Sequence, residues 1–421
     1  MLPYLALLCA AVSALAAAER SRPLFWIVFA GMGTRLVAAL VFPLQWDEAV
    51  YHGYALDSLE ASRSEGFLAA LRPPVGTWNL FHLIGTALYA ILGIDLHLIR
   101  FTVCAVGALN VVLSWRLAAP FFPDEKGRLG IAAAAAFWPD MVQFSALAIR
   151  DQALLALVLA TLLAADRALR NPDRRTAWLL WPWPLLTFFL RPIQSAYGLA
   201  AIGIAAARRR WYWALLPLPV LILAADLAGR AVFGGGLATI ANSYLREHEW
   251  YPERPRSKPF DRPRAPGEPL HPDDRTIQWV ESLPPIVSNL AALGVCTLRP
   301  SPALAAILYS PERLFESIKG MAWYLLLGVW PVGLIALWRD RHPLAIPLLL
   351  LCLSVLLCAL LPHGVHRDAT RIRLQGLPAF LILSLLGLAR ARTSSRVRKA
   401  VFATYGILAG ATVAYLAFKA A

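Results

Sequence analysis

Apolar runs of membrane-crossing length follow one another along most of the chain, and only short, basic connections separate most of them. A helix needs about 20 apolar residues to cross the hydrocarbon of a bilayer, where its own ladder must satisfy every backbone N–H and C=O. Runs of this kind, some of them short, cover 2–18, 23–43, 77–94, 98–119, 129–146, 152–167, 177–190, 194–207, 212–229, 320–338, 343–361, 374–390 and 400–418. Composition agrees: 58% of the residues are hydrophobic and 16% are charged, whereas soluble chains carry about 25% charge. That much apolar surface cannot be hidden in a water-soluble core. The expected fold is all-α, a polytopic transmembrane helical bundle of about 11–13 spans, with outer-face juxtamembrane helices and one long outer loop. The first run has no basic leader and a second follows at once, so it reads as a membrane helix and not as a signal peptide.

Charge orients the bundle. Arg20/Arg22, Lys126/Arg128, Arg167 to Arg175, Arg208 to Arg210, Arg339/Arg341 and Arg390 to Lys399 are short basic connections, which the positive-inside bias places in the cytoplasm. The other side then receives 44–76, the stretch near 140–151, the turn at Arg191, the long segment 230–319 and 362–373. Three units follow: an N-terminal transmembrane module, 1–229; an extracytoplasmic loop, 230–319; and C-terminal transmembrane helices, 320–421. Three candidate spans (77–94, 98–119, 129–146) separate the first outer loop from Asp151, and three full crossings would put Asp151 on the wrong side. Either 77–94, which opens on Pro73-Pro74, or the Pro139-broken 129–146 must therefore fall short of a crossing.

The net charge of +14 suits anionic lipid headgroups and the positive-inside bias. No motif points to nucleic acid. Five cysteines stand singly with no CxxC pair, as small buried hydrophobes do. The Pro/Arg/Asp-rich run 252–274 holds too little apolar surface to fold alone. No Walker loop, GxGxxG, GxSxG or HExxH occurs, so nucleotide-driven pumping and the common hydrolases have no support.

Four places carry chemistry. Trp46-Asp47-Glu48-Ala49-Val50-Tyr51-His52 sets two carboxylates at a membrane boundary, where charge is costly. Such an acid can take a proton from an acceptor hydroxyl or hold a cation; a solvated loop start in an aromatic belt is the plainer reading. Arg150-Asp151 precedes a span and is either a buried salt bridge or a second acid sharing the Asp47 cavity. His363, His366, Arg367, Arg371 and Arg373 lie on the side where basic residues should be few. Arginine is the residue for bidentate phosphate contacts, so the cluster reads as a site for a lipid phosphate, or as a contact with headgroups. Arg191, at an outer turn, completes that anion site or snorkels.

The order of these features resembles the GT-C superfamily of polytopic glycosyltransferases, nearest its protein mannosyltransferase and aminoarabinose transferase branch. Trp46 to Tyr51 follows the first spans. Arg72-Pro73-Pro74-Val75 leads a helix ending in Leu92-Gly93, Leu98-Ile99-Arg100 opens another, and Lys126-Gly127-Arg128 precedes an Ala-rich helix with Pro139. Asp151 heads the next span, and Arg371-Ile372-Arg373 precedes Pro378. The likeness covers roughly 40–170 and, more weakly, the end of the chain. It implies transfer of a sugar from a polyprenyl-phosphate or polyprenyl-diphosphate carrier to a glycan, lipid or protein acceptor. The setting would be the extracytoplasmic face of a bacterial plasma membrane. Asp47, with Glu48 beside it, and Asp151 would be the catalytic acids. Tyr51, His52, Arg150, Arg191, His363, His366, Arg367, Arg371 and Arg373 would bind the substrates. The family implies no fixed cofactor, since some members use a divalent cation and others none. An envelope polysaccharide polymerase or ligase with a lipid-diphosphate donor, and a lipid-linked sugar flippase, are the alternatives.

Overall fold

The computed structural model describes residues 1–71, 80–170, 178–190, 311–358 and 369–420, with a few isolated positions between 198 and 236. Among these residues every regular element is a helix. In chain order they are α1 (Leu2–Ala18), α2 (Arg22–Val41), α3 (Trp46–Ser64), α4 (Phe67–Ala70), α5 (His82–Leu92), α6 (Leu96–Ala118), α7 (Glu125–Phe137) and α8 (Pro139–Ser145). There follow α9 (Asp151–Arg170), α10 (Pro182–Leu190), α11 (Pro311–Leu327), α12 (Trp330–Arg339), α13 (Ala345–Cys358), α14 (Ala369–Thr393) and α15 (Ser395–Ala420). Among the described residues five stretches are long and apolar enough to cross a membrane: Arg22–Val41, Leu96–Ala118, Asp151–Arg170, Ile318–Arg339 and Arg373–Thr393. Each coincides with an apolar run of the sequence. Most of the 230–319 loop lies outside the described residues.

Of the two runs of which one was expected to fall short of a crossing, neither is a single long helix. Among its described residues, the run 77–94 contributes the eleven residues of α5, about 16 Å of helix and roughly half a bilayer core. The run 129–146 is not one helix. Pro139 pushes the residue before it out of the helical region, and Trp138 accordingly lies at φ −61°, ψ 128°. α7 stops there and the seven-residue α8 begins.

The first outer segment, expected as a loop, is largely the nineteen-residue helix α3. Tyr51, Ala55, Ser58 and Leu59 are buried on it, spaced as one helical face. That face packs on α5 and the start of α6 in an apolar cluster that also takes in Leu147 to Ile149. Gly85 makes this possible. A Cβ there would lie 2.8 Å from Ala55 Cβ and 2.7 Å from Ile99 Cδ1, too close for any side chain. Small residues let helices approach in a membrane, where packing and not water exclusion drives association. A larger cluster runs through α1, α2, α6, α7, α9 and α11 to α14.

Among the described residues, the basic connections at 20–22, 126–128, 339–341 and 390–399 meet at one end of this bundle. Ser21, in the α1–α2 turn, donates to Glu125 Oε1 at 2.6 Å. Arg116, near the end of α6, pairs with Glu19. Phe121 packs against His342 at 4.6 Å, and Arg390 pairs with Asp340 at 2.5 Å. The first residues of α3 and α6 lie away from this end, with the carboxylate of Glu48.

Candidate functional site

Two helix ends made by proline organise the site. α2 stops at Val41 because Pro43 holds Phe42 extended, at φ −66°, ψ 132°. α7 stops at Phe137 for the same reason at Trp138-Pro139. A helix end leaves carbonyls without intrahelical donors, and at both ends a buried arginine from a neighbouring helix supplies donors.

Arg100, on the second turn of α6, caps α2. Its Nη1 donates to Ala39 O at 2.7 Å and to Phe42 O at 3.0 Å, and its Nη2 to Pro43 O at 3.4 Å. Its Nε and Nη2 also grip Glu48 Oε1 and Oε2 at 2.8 and 2.7 Å, a bidentate pair. Glu48 is fully buried. Its Oε2 accepts the Gln45 N–H at 3.0 Å, as the third residue of a helix reaches back to its N-cap. Its Oε1 accepts the Ala148 N–H at 2.7 Å. One carboxylate thus ties the start of α3 to α6 and to the connection between α8 and α9. Asp47, its neighbour, is half-buried.

Arg35, inside α2, caps α7. Nη1 donates to Ala136 O at 2.7 Å and to Gly31 O at 2.9 Å, Nη2 to Ala135 O at 2.9 Å, and Nε to Ser145 Oγ at 3.1 Å. The guanidinium is fully buried and meets the negative end of the α7 dipole. Ser145 donates in turn to Met141 O. Gly107 of α6 admits Ser145: a Cβ at 107 would collide with its side chain.

Between these anchors, residues 145–152 form a turn sunk into the bundle. Cys104 Sγ lies 3.2 Å from Ser145 O. Asn110 Nδ2 donates to Gln152 Oε1 at 2.8 Å and to Gln152 O at 3.0 Å. Asp151 opens α9 and is fully buried. The two acidic positions, expected to share one face from motif order, belong to segments joined through Glu48. Arg150 turns across to α10, its Nη1 donating to Leu190 O at 3.0 Å. The Leu80 N–H donates to Phe189 O at 3.1 Å, so the end of α10 reaches the same place. Tyr51 and His52, expected on substrate, pack α3 on α5: Tyr51 stands edge-on to Phe81 at 5.3 Å, and His52 Nδ1 lies 2.7 Å from Tyr89 Oη.

Of the late basic motif, Arg373 is placed with its side chain. It is buried, with its guanidinium carbon 4.5 Å above the ring of Trp323, a cation–π contact. Along α14 it stands about 25 Å from Arg390, toward the end opposite the basic connections. Arg371 lies on the first turn of α14, and Arg191, His363, His366 and Arg367 lie outside the described residues. Trp323 brings a cation absent from the sequence reading: Lys319, one turn earlier on α11. Lys319 is buried, with Nζ 2.9 Å from Gln143 Oε1 and 3.5 Å from Asp140 Oδ1, both on α8. Among the described residues no group of three or more His, Cys, Asp or Glu side chains converges as a metal set.

Arg35, Arg100, Asp140 and Lys319 were not singled out as site residues, although a signal existed. Ionisable groups in or beside apolar runs are expensive and rarely idle; what each one grips is not written in the run. Comparison with known protein families and with curated proteins finds no match to this chain.

Proposed function

We propose that the chain is an integral-membrane glycosyltransferase that moves a sugar from a polyprenyl-phosphate or polyprenyl-diphosphate carrier to an acceptor on the extracytoplasmic face. The Glu48 end of the bundle would be that face. The single observation that carries the reading is the Glu48 junction: a 2.7 Å hydrogen bond to Ala148 and a bidentate pair with Arg100 hold the Asp47 and Asp151 segments at one end. That end lies away from the basic connections.

In this reading the acceptor hydroxyl attacks the anomeric carbon. The new C–O bond forms as the bond from that carbon to the carrier phosphate oxygen breaks. Asp47, the acid left half-buried at the head of α3, takes the hydroxyl proton. Asp151 orients the acceptor or the sugar. Arg150 and Arg373, with Arg191 and the 363–371 residues of the sequence motif, stabilise charge developing on the leaving phosphate. A divalent cation could share that task.

Purified protein in proteoliposomes, supplied with polyprenyl-phosphate-linked sugars and scored for transfer, tests this. Asp47→Asn is expected to lower the rate by about 100-fold or more while the unfolding temperature stays at the wild-type value. An Asp47→Asn enzyme as fast as wild type overturns the mechanism. Carrier that crosses the bilayer with its sugar uncleaved identifies a flippase instead.

A further inference from the structure

We propose that Glu48 and Arg100 are positioning residues and not reacting groups. Together they seat the buried turn 145–151 beneath the head of α3, and so set where Asp151 stands relative to Asp47. The inference rests on the transferase reading for its kinetic consequence, but not for its geometry.

Each oxygen of Glu48 has two donors, Arg100 Nε and the Ala148 N–H on Oε1, and Arg100 Nη2 and the Gln45 N–H on Oε2. A carboxylate so engaged, with none of its residue exposed, has both oxygens committed to protein donors and no face open to a substrate. What it does instead is join three pieces of chain that are distant in sequence. Arg100 adds the proline-stopped end of α2 through Ala39, Phe42 and Pro43. The turn is held at two levels: Ala148 hangs from Glu48, while Ser145 is bound by Arg35 Nε at 3.1 Å. Between the two lies no surface loop but Ala146 and Leu147, both buried, and Ile149 just beyond is buried as well. Releasing the upper hold leaves a buried Arg100 without its counter-ion and the Ala148 N–H without its acceptor. The turn should then shift as a piece, carrying Asp151.

A native reporter sits under the turn. Cys104 Sγ lies 3.2 Å from Ser145 O and is fully buried, and Cys352, fully buried in α13, serves as a control far along the chain. Full-length protein in detergent is treated with N-ethylmaleimide, and alkylation at each cysteine is read by mass spectrometry. In the wild type both thiols stay protected. In Glu48→Gln and in Arg100→Gln, Cys104 is expected to react at least ten times faster while Cys352 stays protected. Loss of protection at both sites signals global unfolding. In that case Glu48→Asp and Arg100→Lys, which keep the charges and shift the contact, are read in the same way. In the transfer assay the clamp variants should lose kcat about tenfold or more with KM little changed. The double variant Glu48→Gln/Arg100→Gln should be no worse than the poorer single variant, as for residues acting as one unit.

Protection of Cys104 in both Glu48→Gln and Arg100→Gln overturns the clamp, whatever the chemistry; where those two unfold, protection in both Glu48→Asp and Arg100→Lys does so. So does a pair of clamp variants whose rates fall independently and multiply. If Asp47→Asn is fully active while Cys104 is exposed by Glu48→Gln, the transferase mechanism fails and the clamp stands.

Discussion

The proline-stopped ends of α2 and α7 pose the same problem and receive related but unequal solutions. Each ends at an aromatic residue held extended by the proline after it, and each hands its last carbonyls to a buried guanidinium from a neighbouring helix. Arg100, at the end of α2, also has a carboxylate, Glu48, at 2.7 Å. The hydrogen bonds of Arg35, at the end of α7, go to three carbonyls and one hydroxyl. The first is an ion pair that gathers three segments. The second is a cap that lets the partial charge of a helix terminus stand in for a counter-ion. The difference teaches that a buried arginine in a membrane bundle needs carbonyls more than it needs an acid. Where an acid is supplied as well, it has work at a distance, here on Ala148.

That contrast sets the order of expected stability effects. Glu48→Ala should be the largest, because it leaves a buried guanidinium without its counter-ion, about 3–5 kcal/mol. Equilibrium unfolding in mixed detergent micelles reads it, and a loss near zero would mean that the α2 carbonyls suffice for Arg100. Arg35→Met should cost less, about 1–3 kcal/mol. It leaves the Ala135 and Ala136 carbonyls without donors but also removes a charge that was expensive to bury. A loss as large as that of Glu48→Ala in the same measurement would erase the distinction between pair and cap. Ser145→Ala should be the smallest, about 1 kcal/mol, since Arg35 keeps its three carbonyl acceptors and the space beside Gly107 needs no refilling. A loss beyond that of Arg35→Met would put the hydroxyl, and not the guanidinium, at the centre of the α7 cap.

The late half of the chain repeats the theme with different parts. Lys319 reaches α8 through Gln143 and Asp140, and one turn on Trp323 carries Arg373 on its face. Thus α8, seven residues long, is held by Arg35 at its last residue and by Lys319 along its length. Motif order foreshadowed a common end for the Asp47 and Asp151 segments. Nothing in the order of residues showed that a lysine at the start of a late span would meet an acid next to Pro139. Nor could spacing divide the adjacent pair, in which Glu48 is sealed inside the bundle and Asp47 keeps partial access.

Run length and hydropathy alone pointed to a helical membrane chain, because an apolar run of about 20 residues satisfies its own backbone in hydrocarbon as a helix; that five stretches among the described residues are helices of crossing length came from the structure. Pro139 marked the break inside the run 129–146. Only the tertiary structure decided that the stretch after the first long span is a helix, that 77–94 yields a short one, and what each buried charge touches. An ionised group shows its type in the sequence and its role in its partners. Those partners, Glu48 with Arg100 and Ala148, Arg35 with Ala135 and Ser145, and Lys319 with Gln143, are brought together from positions far apart along the chain by the packing of the whole bundle.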